Sequence, residues 1–347
     1  MRLPAFVLRR RWIWPGAILS ALLVIVAAIA AEGLHTSAAP TAISVDASPI
    51  AAFDNRDPTR VRFGALEFRG GLVLTSKYPA FGGLSALHMM PDGAHFIAVS
   101  DNGSWLRARI VYKAGRPEAI ADAEMAPALG PDGAPLASRR WFDMESLAER
   151  DGQFYVGIER VEQIVRFDLN KFGLAARGEP IKVPAEFKTF KYNKSLECLA
   201  APPQGGPLAG DLIAVTERSL DAHGNHRAFL FEGDRVVRFS VKRDDDFDVS
   251  DCAVLPSHEL LLLERSFSLV KGVGMRMRRI PLAAIKSGAL VDGPVVVTAD
   301  MGYQIDNMEG IGVSRGPDGE TILTLISDDN FSVIQRTLLL QFALVGE

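Results

Sequence analysis

The sequence predicts an all-β fold, a propeller of four-stranded blades, and three observations carry the prediction. A short signature recurs at intervals of 60, 52, 54 and 58 residues, and each copy is followed by a turn signal and a second apolar run. Gly and Pro, 31 and 20 in number, are frequent enough to punctuate many short strands. Two further strand-like runs follow most of these hairpins, for example Gln163 to Leu169 and Pro180 to Val183, and four strands per repeat of this period is the pattern of a propeller blade.

Taken in chain order, the 347 residues begin with Arg2, Arg9, Arg10 and Arg11 and no acid before residue 32. Trp12 to Ala31 is almost purely apolar and long enough to cross a bilayer as a helix. Residues 1–31 therefore read as a cleaved export signal or an uncleaved transmembrane anchor. Either places the rest outside the cytoplasm, in the periplasm or an equivalent compartment, tied to the inner membrane if the segment stays. Residues 32–60, rich in Ala, Ser, Thr and Pro, read as a linker, and 61–347 as a monomeric propeller domain. A lone strand, Arg60 to Phe68, is expected to complete the last blade, which is otherwise one strand short, and so to remove an exposed edge. Five blades are counted; a sixth requires a signature that has drifted beyond recognition.

The five signatures are Leu84-Ser85-Ala86-Leu87, Met144-Glu145-Ser146-Leu147, Leu196-Glu197-Cys198-Leu199, Ser250-Asp251-Cys252-Ala253 and Met308-Glu309-Gly310-Ile311. The turns include Pro91-Asp92-Gly93, Asp151-Gly152 and Pro317-Asp318-Gly319. The second strands end at Asp101, Glu159, Glu217, Glu264 and Asp328, and pairing these with the signature acids centres each hairpin in or near its turn. Cys198 and Cys252 share the small third position and are read first as packing residues, with one internal disulfide as the alternative.

Propeller geometry gathers Asp101, Glu145, Glu159, Glu197, Glu217, Asp251, Glu264, Glu309 and Asp328 at one mouth of the central channel. Arg160, Arg218 and Arg265, each following a second-strand acid, can offset them, either as stitches between blades or as part of a site. The first and fifth repeats lack such an Arg. That leaves Asp101, Asn102, Glu309, Asp328 and Asp329 as candidate ligands for Ca²⁺ or another hard divalent cation. Loops entering the blades carry Arg139, Arg140, Lys188, Lys191 and Lys194, a basic rim suited to an anionic small molecule such as a phosphate ester. Glu145, Glu197 and Glu309 are the candidate catalytic carboxylates, and His223 and His226 candidate bases. Beyond residue 31, 34 bases face 42 acids, a net −8, which excludes nucleic acid as a partner. No nucleophile elbow, His-Glu-x-x-His or phosphate-binding loop motif occurs.

The phrases Gly83-Leu84-Ser85, Ser100-Asp101-Asn102-Gly103, Met144-Glu145-Ser146, Ile158-Glu159-Arg160, Leu263-Glu264-Arg265 and Asn307-Met308-Glu309-Gly310 together resemble the phytase-like propeller family, often labelled "esterase-like activity of phytase". The resemblance spans Phe63 to Leu344. It implies an exported propeller distantly similar to calcium-dependent phytases, in which Ca²⁺ and basic side chains hold phosphate. Three functions follow as expectations: metal-dependent hydrolysis of phosphate or related esters, a lactonase-type propeller, and a non-catalytic binding or scaffold propeller.

Overall fold

The computed structural model describes residues 39–190, 194–244 and 246–346; the expected N-terminal helix and Lys191 lie outside these. Five sheets follow one another along the chain, antiparallel except where Leu290–Val291 adds parallel to Arg235–Val241 at the edge of the third. The innermost strands are Leu84–Met89, Met144–Arg150, Leu196–Ala200, Asp248–Val254 and Asn307–Arg315, one for each expected signature. Each leads into a hairpin, through a short turn except in the third blade, where residues 201–211 connect the strands, and outer strands complete the blade. Among the described residues no helix is long and apolar enough to cross a membrane.

Closure is made by the N-terminal part of the chain, as expected, although a little further along. Leu66–Thr75 pairs antiparallel with Thr337–Leu344 and becomes the fourth strand of the last blade. Arg62–Phe63 folds back on it around Gly64, whose φ of 64° favours glycine and whose added Cβ would sit 2.9 Å from the Val296 carbonyl oxygen. Within the stretch read as linker, Asp46–Ile50 adds to the outside of this blade and Thr41–Ala42 to the outside of the first. Side chains alternating along Asp46–Ile50 are too short a pattern to distinguish from coil by sequence.

The core is distributed between blades, because each sheet is apolar on both faces and packs against two neighbours. Leu323, Leu325 and Phe342 of the fifth blade meet Leu261, Leu263 and Met277 of the fourth, with Phe53 and Phe63 sealing the outside of the cluster. Between the third and fourth blades the cluster contains both cysteines, and these are disulfide-bonded, with Cα atoms 5.2 Å apart. This corrects the reading of Cys198 and Cys252 as packing residues. Inner strands of adjacent blades run side by side near the axis, a proximity that a sequence spacing does not display. Closing a loop across a separation of 54 residues stabilises by about 4 kcal/mol in the chain-entropy picture. Replacing both cysteines by alanine is expected to lower the unfolding free energy by an amount of that order, read from urea melts.

Candidate functional site

In every blade the ladder between the first two strands skips one residue near its start. The skipped residues are Ser85, Glu145, Glu197, Ser250 and Glu309. A bulge of this kind leaves its residue unpaired and re-aims the side chain. On the facing strand, one residue beyond the partner of each inner strand's apolar start, stand Asp101, Glu159, Glu217, Arg265 and Asp328, the last two still paired with Asp248 and Asn307. These two sets form the mouth, and they hold seven of the nine expected carboxylates.

The fourth blade is one residue out of phase with its signature, which corrects the placement of Asp251 and Glu264 at the mouth. Val249 pairs with Glu264, so Ser250 takes the bulge and Arg265 the mouth position. Asp251 instead accepts the Ile311 backbone N–H at 2.7 Å, joining the fourth and fifth inner strands. Glu264 turns into its own sheet, fully buried, and accepts from Arg276 at 2.9 Å and Arg278 at 2.6 and 2.8 Å. A one-residue slip sends a side chain to the opposite face. The signal was legible: the other signatures begin with Leu or Met, and only the shifted frame gives the fourth an apolar start, Val249. Glu264→Ala is expected to cost about 3–5 kcal/mol, because it removes the buried carboxylate that Arg276 and Arg278 share and leaves them only the more exposed Asp244 and Asp292. Urea melts would measure that loss, while cation binding at the mouth should be unchanged.

Arg265 occupies the centre of the acid cluster. Its guanidinium lies 3.4 Å from Glu217 Oε1 and 3.3 Å from Glu309 Oε1, and donates to Asn307 Oδ1 at 3.1 Å. Asn307 in turn donates to Glu309 Oε1 at 2.8 Å. Lys194 reaches Glu217 Oε2 at 2.9 Å. Arg265 and Lys194 thus pair with Glu217 and Glu309, and burial weighs on the other carboxylates. Asp101 is raised to about 7, first by burial and then by the charges of Asp143 and Glu309. Glu159 rises to about 7 chiefly through burial, against a backbone hydrogen bond from Ser195. Asp328 reaches about 9 through burial and the proximity of Glu309 and Asp101. Glu145 and Glu197 are raised well above the usual range by burial and then by their acidic neighbours. For Glu309 burial also raises the value, while Arg265 and Asn307 oppose it.

Of the candidate metal ligands, Asp101, Glu309 and Asp328 act on one another electrostatically. Asn102 donates its amide to the Ala80 carbonyl at 3.0 Å and leaves its Oδ1 buried without a hydrogen bond. Asp329 is committed elsewhere, accepting from the Gly83 N–H and the Thr337 hydroxyl, each at 2.9 Å. Hard oxygen donors with surplus charge and an orphaned carbonyl oxygen next to Asp101 fit a divalent cation. Among the described residues, however, no group of three or more acidic, His or Cys side chains is already drawn together as a ligand set.

The basic rim is less concentrated than the sequence suggested. Arg139 pairs with Asp132, and Arg218 and Arg243 both hold Asp248. Arg160 lies over the Phe142 ring, 4.4 Å from its centroid. Lys188 and Arg140 are exposed, the latter at a φ of 64°. His223 sits in the exposed turn after the third blade's second strand. His226 is buried, with Nδ1 against the Glu217 carbonyl, and burial pushes its pKa down. The structure therefore brings Glu145, Glu197, Glu309, Lys194 and Arg265 together and leaves the histidines outside. Asp143, directly before the second signature, was missed; its N–H donates to the Asp101 carbonyl at 2.6 Å, and burial raises its pKa. An acid or amide recurs at that position in Asp143, Asp248 and Asn307, which was the available signal.

The opposite end of the channel opens into a cavity of about 480 Å³, lined by Leu87, Leu147, Leu199, Val254 and Val313. Glu149, Arg150 and Asp151 add charged side chains to the lining of that end. No curated protein sequence matches the chain. Among solved structures it is similar to U3-55K, at 9% identity and a TM-score of 0.37 over 75% of this chain and 95% of that one. It is also similar to the RRP9 WD40 repeats, at 8% identity and a TM-score of 0.37 over 82% and 100%. Likenesses of this strength carry no inference. A family model described as "Phytase-like: Esterase-like activity of phytase" matches residues 79–331, most of the chain, and the protein belongs to that phytase-like family.

Proposed function

We propose that the mouth is the site of a metal-assisted hydrolysis of phosphate or related esters, carried out by an exported propeller. The observation that carries the reading is the concentration of charge: seven carboxylates stand on two rings, with Arg265 among them and Lys194 on Glu217. An environment that raises several of them toward neutral pH favours a multivalent cation once they ionise. Asp101, Glu309 and Asp328 would hold a divalent cation such as Ca²⁺. When bound, it would polarise an anionic oxygen and neutralise developing charge.

The chain's own groups supply the rest. Arg265 is fixed by Glu217, Glu309 and Asn307, so it presents an oriented charge toward the mouth. Lys194, with the exposed Arg140 and Lys188 further out, favours entry of an anion. Glu145 and Glu197, whose pKa values burial raises well above the usual carboxylate range, would give a proton to a leaving group. The Cys198–Cys252 bond supports a location outside the reducing cytoplasm.

Hydrolysis of p-nitrophenyl phosphate with calcium or with chelator tests the reading. Turnover that requires calcium and falls about 100-fold or more in Glu145→Gln supports it; equal turnover in calcium and chelator sinks the metal role. A second reading, a non-catalytic binding propeller, is favoured by the way Arg265 already bridges Glu217 and Glu309. Calcium binding without turnover on phosphate esters, carboxyl esters or lactones would select it. Lactone opening that survives charge reversal at Lys188 would select the lactonase reading.

A further inference from the structure

We propose that the mouth-side loops of the fourth and fifth blades rest on a lipid bilayer, so that the acidic mouth works at a membrane surface. Twelve large apolar side chains are exposed among the described residues, and the four most exposed are Leu269 and Val270, each at 95%, Val333 at 102% and Ile334 at 88%. They occupy two loops only. One joins Glu259–Ser268 to Gly272–Pro281, and the other joins Thr321–Asp328 to Thr337–Leu344. Both loops leave the mouth end of their strands, since Arg265 and Asp328 lie just before them. Phe267 and Phe331, at 69% and 48%, widen the same surface. Isolated exposed apolar residues are ordinary, but adjacent loop tips bared this completely mark an interaction surface.

The tips are held outward by the loops' own structure. Asp329 accepts the Phe331 N–H at 3.1 Å and the Thr337 hydroxyl at 2.9 Å, while Asp328 accepts the Asn330 N–H at 2.6 Å. Asn330 and Phe331 both adopt positive φ, 47° and 49°, an unfavourable conformation for non-glycine residues. In the other loop Ser268 accepts the Lys271 N–H at 3.0 Å, and Gly272 turns the chain at a φ of 71°. Two braced tips, each ending in consecutive aliphatic residues, present an apolar surface that a flexible coil would not maintain.

The chain's path argues for lipid as the occupant. The described part begins at Ala39, and Thr41 pairs with Met125, two residues from the mouth-side end of the first blade's outer strand. Ser44 then accepts the Ser76 hydroxyl beside the mouth-side end of the closing strand. The chain thus enters the propeller from the face that bears the bare tips. The 20 apolar residues Trp12 to Ala31 precede that point by a short stretch of sequence. If they serve as the expected anchor, the chain that follows them joins the propeller at this face. Aliphatic tips on such a face have lipid as their natural partner.

The test places an environment-sensitive fluorophore on the full-length chain, reconstituted into phosphatidylcholine vesicles. Probe sites are V270C and I334C, with F172C as control. Phe172 is also exposed, at 55%, but follows the opposite end of its blade's third strand. The Cys198–Cys252 bond keeps the native sulfurs unlabelled. Probes at 270 and 334 are expected to blue-shift and to be quenched by acyl-chain quenchers, while the probe at 172 behaves as in water. Introducing Glu at 269 and 333 should reduce quenching of the probes at 270 and 334 by about tenfold. Aqueous emission at both sites, or failure of the chain to float with vesicles, would overturn the proposal. So would energy transfer between probes that scales with protein density, which would assign the surface to a second copy. None of these outcomes depends on catalysis.

Discussion

Arg265→Met is expected to be the most damaging single substitution in the mouth, costing about 3–5 kcal/mol at pH 8 and much less at pH 5. The guanidinium is part-buried, its side chain 28% exposed, and bears on Glu309, Glu197, Glu217 and Glu145 together. Methionine fills similar volume without the charge, so the loss isolates electrostatics from packing. With the cation gone, each carboxylate it faced binds a proton more tightly in the folded state. A carboxylate whose folded pKa exceeds its unfolded value stabilises the fold while protonated, and that contribution is lost as pH rises through the folded value. The penalty therefore opens above about pH 4.5 and is largest in mildly alkaline solution. Urea melts of both proteins at the two pH values decide the matter. A pH-independent penalty would mean that Arg265 acts mainly through its aliphatic stem, and Arg265→Lys should then be nearly neutral.

That residue also marks the limit of what the sequence displayed. The propeller, its five blades and the closing N-terminal strand were legible because a hairpin signature repeats, and repetition survives divergence at any single residue. Seven of the nine mouth acids were legible for the same reason. The two failures share a cause. Asp251 was aligned on its acid, whereas the fold aligns Val249 on its apolar side chain, because the buried position sets the register. Burial outranks charge in that choice: exposing Val249 to seat Asp251 at the mouth would forfeit a core contact between the third and fourth blades. The consequence was chemical as well as geometric, since the shift exchanges a carboxylate for the guanidinium that organises the site. The disulfide was hidden for a related reason, because proximity across blades arises from ring closure and not from local spacing. His226 shows a third limit. A candidate base by sequence, it opens the strand His226–Glu232, and only the fold reveals that its ring is buried against the Glu217 carbonyl.

The wild-type protein is expected to lose stability steadily between about pH 5 and pH 9, and calcium is expected to restore it at the alkaline end only. Asp101 and Glu159 hold their protons to about 7 and Asp328 to about 9, all mainly through burial, whereas the unfolded chain releases them near pH 4. The folded state thus binds more protons across this window, and the slope of stability with pH is negative there. Summed over three groups the loss is on the order of 5 kcal/mol, because holding a proton tenfold more tightly is worth about 1.4 kcal/mol and the groups do not ionise independently. A cation competes with those protons, so it binds weakly at pH 5 and strongly at pH 8. Asp328→Asn separates the two effects. Asparagine keeps the oxygen that accepts from Asn330 while removing the most reluctant charge, so the variant should be about 1–3 kcal/mol more stable than wild type at pH 8 without calcium. It should also lose most of the calcium response. Thermal melts of both proteins at pH 5 and 8, with calcium and with chelator, give all eight values. A calcium response retained in Asp328→Asn would move the cation away from this carboxylate. A flat pH profile in wild type would mean that the mouth is better hydrated, or better paired, than its geometry implies.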